Sequence, residues 1–171
     1  DDLINKELPE LKLENARFET SFEKDIPTEN GYDKVTFKIK TNPNSEMGSI
    51  KNVSSGGELC RIALAIKVIA QKNSKTTMVF DEVDSGIGGA VSTAVGERLK
   101  KLGNAKQVIV VTHSPQVAAF GNDHFIVYKT VKNNESKINL KQLDKDQKVN
   151  EIARMLSGKE TTSEAINAAK K

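Results

Sequence analysis

Tryptophan is absent from the sequence, and cysteine occurs only once, as Cys60. A single thiol excludes an internal disulfide framework and a zinc site made of several thiolates. Cys60 stands in an apolar helical pattern, so we expect a small core or interface residue with no redox role. No apolar run approaches the ~20 residues of a membrane-spanning helix, and the acidic start lacks the character of a signal peptide. These absences favour a cytoplasmic protein with no membrane partner.

A large charge of one sign is also lacking. Lys and Arg number 26 and Asp and Glu 23, so the formal net charge is +3 over 171 residues. A balance this even does not by itself indicate nucleic-acid binding. The length suffices for one domain with its own core. Because the sequence does not begin with methionine, we expect a piece of a longer protein.

The hydrophobic patterns predict an α/β fold that starts with an antiparallel β-hairpin. Two alternating stretches, 16–23 and 33–41, flank Asn30-Gly31, a pair typical of hairpin turns. Before them, Pro9 interrupts an amphipathic pattern in 1–14 and disfavours a regular helix there.

From residue 56 onward, helical and strand patterns alternate, which is typical of a mostly parallel sheet flanked by helices. The predicted strands are 76–80, 108–112, 125–128 and 138–143. The predicted helices are 56–71, 91–102, a short one opened by Ser114-Pro115, 149–156 and a frayed tail at 161–171. In helix 56–71, the face expected to be buried comprises Leu59, Ile62, Ala63, Ile66, Ile69 and Ala70.

The run Ser55-Gly56-Gly57-Glu58 opens the predicted helix 56–71. Its glycines let the backbone approach a ligand closely, its free N–H groups favour a phosphate, and Ser55 adds a hydroxyl. The same four residues also form a capping box, with Ser55 as the cap and Glu58 three residues on. In isolation the capping box is the simpler interpretation.

Two carboxylates, Asp81 and Glu82, follow the apolar strand 76–80. Asp81 suits Mg²⁺ and Glu82 suits an activated water, although a solvent-facing pair is an equal alternative for the two residues alone. Asp84-Ser85-Gly86 continues as a glycine-rich loop without the lysine of a phosphate-binding loop. No Gly-x-x-x-x-Gly-Lys-Ser/Thr sequence occurs anywhere in the chain.

His113 ends the predicted strand 108–112. Ligands of parallel sheets gather outside the carboxyl ends of the strands, and Asp81-Glu82 and His113 stand at two such ends. We therefore expect one polar rim on which His113 contacts a γ-phosphate. The alternative is a histidine satisfied by local backbone groups.

The order of these motifs resembles that of ABC-type ATPase heads, in particular the RecN family within the SMC-like group. Two stretches discriminate best, Asp-Ser-Gly-Ile-Gly-Gly and Thr-His-Ser-Pro-Gln-Val-Ala. The resemblance covers roughly 30–158. It is carried by 42–44 (NPN), 53–65 (VSSGGELCRIALA), 80–89 (FDEVDSGIGG) and 111–119 (VTHSPQVAA).

The resemblance implies ATP and Mg²⁺ as cofactors, with Asp81 serving the metal, Glu82 the attacking water and His113 the γ-phosphate. It also implies that Arg61 ties its helix to neighbouring elements. Two positions depart from the pattern: Cys60 replaces the usual Ser, and Gly88 stands about where general ABC ATPases place an Asp. The family's signature motif, at the start of helix 56–71, would contact the ATP of a second head, and the loop after Glu82 would lie beside the cofactor. The motif residues are Ser55, Gly56, Gly57 and Glu58, and the loop residues are Asp84, Ser85 and Gly86.

In that family a head is assembled from two distant chain halves joined by a coiled coil, and the N-terminal half carries the phosphate loop. The resemblance thus implies a C-terminal half: 1–14 as the stub of a coiled coil or linker, 15–158 as the head lobe and 159–171 as a helical tail. Since the lysine of the phosphate loop is missing, we expect no ATP hydrolysis by this part alone.

The implied function is ATP hydrolysis at a head dimer interface, acting on DNA in double-strand break repair and recombination at the bacterial nucleoid. Its partners would be the N-terminal half, a second head and DNA. Two alternatives stay open: the head of another SMC-like or RAD50-like ATPase, and a nucleotide-free interaction module of the same fold.

Overall fold

The computed structural model describes residues 1–29, 31–71, 75–132, 135–158 and 162–170. The chain forms two compact units, Asp1–Val111 and Thr112–Lys171, and each is described by itself. The division into 1–14, 15–158 and 159–171 stays a prediction, and Asn30 of the predicted hairpin turn lies outside the described residues.

The first unit begins with helix α1 (Asp2–Glu7), followed by one turn of 3₁₀-helix (Pro9–Leu11). The predicted interruption by Pro9 is confirmed, since proline has no N–H to continue the α-helical ladder and suits the first position of a new turn. Leu8 and Leu11 are fully buried. The segment is therefore an integral part of the core of this unit.

Strands β1 (Arg17–Thr28) and β2 (Gly31–Lys40) form the predicted antiparallel hairpin, which is longer than the sequence indicated. A short strand, β3 (Gly48–Ser49), follows a loop and pairs antiparallel with β2. The opposed residues Phe18 and Ile39 are buried. They anchor the base of the hairpin in the core.

A β–α–β unit completes the first unit and positions the candidate site. Helix α2 (Gly56–Ala70) precedes strand β4 (Met78–Asp81), which leads through helix α3 (Gly89–Gly103) to strand β5 (Val108–Val111). As predicted, β4 and β5 are parallel. A helical crossover is required here because two parallel strands cannot be joined by a tight turn.

The two faces of the β4–β5 pair differ in burial. Met78 and Phe80 are buried, whereas Val79, Ile109 and Val111 are 51%, 48% and 54% exposed. Strand side chains alternate between faces, so the exposed set forms one apolar outer face.

The predicted buried face of α2 is wrong. Ile62 is buried as expected, but Leu59 and Ala63 are exposed. A helix that is apolar almost all round satisfies the 3.6-residue period on more than one face, so periodicity cannot choose between them. The buried residues of α2 are Gly57, Arg61, Ile62, Leu64, Ala65 and Val68.

The second unit begins with the short helix α4 (Pro115–Ala119). The antiparallel strands β6 (Phe125–Lys132) and β7 (Glu135–Gln142) follow, then helices α5 (Lys145–Ser157) and α6 (Ser163–Ala169). The tail predicted to be a frayed helix thus contains α6. Within the described residues β4–β5 is the one parallel pair, because short turns make the hairpins antiparallel. None of the described helices is long and apolar enough to span a membrane.

Candidate functional site

Helix α2 starts with the predicted capping geometry. The Ser55 hydroxyl accepts a hydrogen bond from the Glu58 N–H at 3.3 Å, and both Ser55 and Gly56 are exposed. Apart from the adjoining backbone of its own helix and its chain neighbours, no atom of the described residues lies within 4 Å of the place where a Cβ on Gly56 would stand. The cap leaves further N–H groups of the first turn without a partner in the helix. The capping interpretation and a phosphate-binding role are therefore compatible.

Gly57 packs directly against the loop that follows β4. A Cβ on Gly57 would lie 2.7 Å from the carbonyl oxygen of Gly86 and 2.7 Å from Cγ2 of Ile87. Gly86 has φ +70, a conformation that glycine adopts without steric cost. Two glycines thus let the start of α2 and the loop touch backbone to backbone. Both stretches stand out in the sequence, but no local spacing signals the contact between them.

The two candidate carboxylates lie at the carboxyl end of β4. Asp81 is the last residue of the strand and stands opposite Val111, and the Glu82 N–H donates to the Val111 carbonyl at 3.0 Å. Both carboxylate residues are exposed. Glu82 has φ 47, and a non-glycine residue in this region costs of order 1–3 kcal/mol. Such outliers cluster at active sites, so the conformation supports a functional position for Glu82.

The loop after Glu82 divides into a buried and an exposed part. Asp84 is only 1% exposed, whereas Ser85 and Gly86 are exposed. The Ser85 N–H donates to the Glu82 carbonyl at 2.9 Å and closes the turn. Asp84 therefore lies inside the unit, while the two residues that follow it face solvent.

Cys60 links α2 to the same loop. Its thiol donates to the carbonyl of Val83 at 3.2 Å. Burial raises the pKa of the Cys60 thiol, Asp84 raises it further, and Arg61 acts in the opposite direction. A thiol held in its protonated form is a weak nucleophile, which agrees with the expected structural role.

Arg61 takes the predicted role of tying α2 to a neighbouring element. It is 8% exposed, and its side chain donates to the carbonyls of Leu11 and Lys12 at 2.8 and 2.9 Å.

His113 belongs to the second unit, so its place is given by chain order alone, two residues after Val111. The His113 side chain is exposed. Directly after it, the Ser114 hydroxyl caps α4 by accepting the N–H of Val117 at 3.4 Å. The predicted helix start is thereby confirmed, and the contact between His113 and a phosphate stays a prediction.

The residues present fit a magnesium nucleotide whose remaining ligands come from outside this chain. Within the described ranges, no three His, Cys, Asp or Glu side chains are close enough to hold a metal ion among themselves. Mg²⁺ in nucleotide sites needs no such cluster, since it is bound by one or two carboxylates, phosphates and water. Asp81 and Glu82 supply exposed carboxylate oxygens, and the open backbone at Gly56 gives a phosphate room to approach.

Similar sequences are found among DNA repair proteins. The chain is 42% identical to the DNA repair protein RecN of Rickettsia conorii over 171 residues, which is 99% of the chain and 31% of the relative. The RecN proteins of Vibrio cholerae and Bacillus subtilis are 41% and 38% identical, over 99% and 94% of the chain. The chain thus spans about a third of the length of the curated relatives it matches. No family model matches.

Solved structures show the same fold at low sequence identity. The Smc head domain of Pyrococcus yayanosii has a TM-score of 0.67 at 18% identity, over 88% of this chain and 28% of that one. A chain solved in work on ATP-driven dimerization and DNA-stimulated activation of SMC ATPases has a TM-score of 0.59 at 19% identity, over 93% and 94%. The chain has the head fold, the motif order and similarity to RecN over 99% of its length. It therefore belongs with the RecN proteins and corresponds to a C-terminal part of them.

Proposed function

We propose that the chain is the C-terminal part of an ATPase head that hydrolyses ATP between two heads and acts on DNA during double-strand break repair. The contact of Gly57 with Gly86 and Ile87 carries the proposal, because it joins the helix start suited to a phosphate with the loop next to Asp81 and Glu82. The similarity to RecN and to SMC heads supports the DNA repair context and the ATPase class.

In this proposal the start of α2 serves the ATP of the other head. The hydroxyl of Ser55 and the backbone N–H groups of Gly56 and Gly57 bind its γ-phosphate, aided by the positive end of the helix dipole. Ser55 and Gly56 are exposed at that surface. Glu58 holds the cap through its N–H, which fixes the Ser55 rotamer. Ser85 and Gly86, exposed on the adjoining loop, extend the same surface toward the second head.

The strand end serves the ATP of its own head. Asp81 would hold Mg²⁺ through water, and the metal would supply positive charge to offset that of the phosphates. Glu82 orients the attacking water and accepts its proton. The left-handed backbone of Glu82 ends the extended course of the strand directly after Asp81. His113, from the second unit, donates to the γ-phosphate.

The N-terminal half of the intact protein supplies the lysine of the phosphate loop. The outer face of β4–β5 suits this partner, because Val79, Ile109 and Val111 are each about half exposed there. Apolar side chains grouped on one face favour burial against another element over exposure to water.

Two substitutions in the intact protein test the proposal. Glu82→Gln removes the base but keeps the side-chain size, so ATP hydrolysis should fall by about 10²–10⁴-fold while the ATP-bound dimer accumulates. Ser55→Arg places a large cation at the exposed helix start, so dimer closure should fail while ATP binding stays. Asn104→Asp, in an exposed turn after α3, is the control and should change neither.

ATP binding is measured by calorimetry, dimer closure by sedimentation with a non-hydrolysable ATP analogue, and turnover by phosphate release. Normal turnover in Glu82→Gln would rule Glu82 out as the base. Loss of nucleotide binding in Ser55→Arg would contradict the assignment of α2 to the other head's ATP. An intact protein that binds no ATP at all would favour the nucleotide-free interaction module.

A further inference from the structure

Arg61 makes an unusual set of contacts for a cation. Three hydrogen bonds of its side chain are accepted by backbone carbonyls: Nη1 donates to Leu11 at 2.8 Å and to Lys12 at 2.9 Å, and Nε donates to Gly57 at 3.1 Å. The residue is only 8% exposed. A buried guanidinium that bridges three carbonyls fixes the position of two backbone segments relative to one another.

One of these segments is the 3₁₀ turn at the N-terminus. It ends at Lys12, whose φ of 58 and ψ of 43 place it in the left-handed region. For a lysine this conformation carries a steric cost, and it persists because surrounding contacts hold it. Arg61 supplies two such contacts, at the carbonyls of Leu11 and Lys12.

The other segment is the start of α2. The Gly57 carbonyl accepts the hydrogen bond from Arg61 Nε. The backbone of Gly86 lies so close that Gly57 has no room for a Cβ. The position of Gly57 is therefore set jointly by Arg61 and by the loop after β4.

The N-terminal segment is itself held firmly in the first unit. The Asn5 side chain exchanges two hydrogen bonds with the backbone of Phe18, at 2.9 and 2.8 Å. Arg98 on α3 pairs with Glu7 through Nε and Nη2, with Nη2 at 2.9 Å from Oε2. The segment is therefore fixed to β1 and α3 of this unit, and Arg61 connects it to the backbone of Gly57.

We propose that Arg61 is a positioning residue that couples the N-terminal segment, residues 1–16, to the phosphate-binding turn at Gly57. This inference rests on the proposed function, since the coupling matters when Ser55, Gly56 and Gly57 bind a γ-phosphate. A shift of residues 1–16 is transmitted to this turn, and closure on ATP is transmitted back to the segment.

Arg61→Lys in the intact protein tests the coupling. Lysine keeps the charge but has no planar fork, so it cannot bridge Leu11, Lys12 and Gly57 together. We expect kcat for ATP hydrolysis and ATP-dependent dimerization to fall at least about tenfold, which is about 1.4 kcal/mol. The affinity for ATP should stay within about a factor of two, because the phosphate loop that binds it first lies elsewhere in the protein.

Arg98→Lys is the matched control. It weakens the anchoring of the same segment to α3 but leaves the Arg61 contacts in place, so it should lower the melting temperature and spare kcat. If Arg61→Lys lowers the melting temperature and leaves kcat and dimerization as in the wild type, Arg61 has a structural role only and the inference is overturned. Failure of the proposed function would show separately, as a wild-type protein without ATP hydrolysis.

Hydrogen exchange on the wild type keeps the inference testable even if Arg61→Lys does not fold. The amides of Leu11 and Leu13, which both bond to the Leu8 carbonyl, report on the segment. Addition of a non-hydrolysable ATP analogue should change their exchange rates together with those of Gly57 and Glu58. A change at Gly57 and Glu58 without any change at Leu11 and Leu13 would overturn the coupling.

Discussion

At the scale of single residues, the two neighbouring glycines of the α2 start have different physical roles. Gly57 is buried, and its missing side chain lets the Gly86 backbone approach. Gly56 is exposed and has open space around it. Sequence reasoning treated the pair as equivalent, because the reason for Gly57 lies 29 positions away in the chain, at Gly86.

Gly57→Ala should therefore destabilise the protein, and Gly56→Ala should not. The added methyl at residue 57 would meet a backbone oxygen at 2.7 Å, a form of overpacking that typically costs about 1–3 kcal/mol. An alanine at residue 56 has a higher helix propensity than glycine. Its free energy of unfolding should therefore exceed that of the wild type by no more than about 1 kcal/mol. The free energy of unfolding from urea titration checks both. Equal stability of the two variants would contradict the close packing.

Cys60 gives a prediction for the pH dependence of stability. Its pKa is raised above the ordinary 9.0, first by burial and then by Asp84, so the folded protein holds the thiol proton more tightly than the unfolded chain does. This contribution to stability is fully present below pH 9 and is lost as the pH rises through the raised pKa.

The unfolding free energy should thus fall more steeply above pH 9 in the wild type than in Cys60→Ser, whose hydroxyl does not titrate in that range. Urea titrations between neutral pH and pH 10 measure the difference. Parallel curves for the two proteins would show that folding does not shift the pKa of the Cys60 thiol.

At the scale of elements, local patterns predicted the order and type of the structure well. The hairpin β1–β2, the break at Pro9, the β4–α3–β5 crossover and the Ser114 cap are all confirmed. Each depends on interactions within a few residues, such as alternation, a missing N–H or a hydroxyl at a helix start. The buried face of α2 was wrong because its choice depends on distant partners, among them the carbonyls that Arg61 reaches 49 and 50 residues away.

The sequence proposed the members of the candidate site, whereas their arrangement could be described only from the structure. The motif order named Ser55, Asp81 and Glu82, and the structure adds what the sequence could not show. The left-handed Glu82, the Gly57–Gly86 contact and the burial of Asp84 all arise when the loop after β4 packs against α2.

The outer face of β4–β5 leads to a prediction for one element. Ile109→Asp should cost little stability in this chain, because the side chain is 48% exposed. It should abolish binding of the N-terminal half, since a carboxylate would be buried without a partner in that interface. Pull-down of the separately expressed halves measures this, with Asn104→Asp as the control of equal charge. Undiminished binding by Ile109→Asp would place the partner on another surface.

At the scale of the whole molecule, the proposed function makes this chain one part of an ATPase that is assembled from several parts. The chain supplies the helix start at Ser55, the carboxylates at Asp81 and Glu82, and His113, but contains no phosphate-loop lysine motif. Its correspondence to about a third of the RecN proteins fits this division of labour. In the proposed function, the catalytic parts would come together only when both halves and a second head are present.

The most direct measurement is ATP hydrolysis by this chain alone, by the N-terminal half alone and by the two together. We expect turnover only in the mixture, and its loss when the mixture contains the Glu82→Gln chain. Appreciable hydrolysis by this chain alone, or equal hydrolysis by mixtures with and without Glu82→Gln, would contradict the proposed ATPase function.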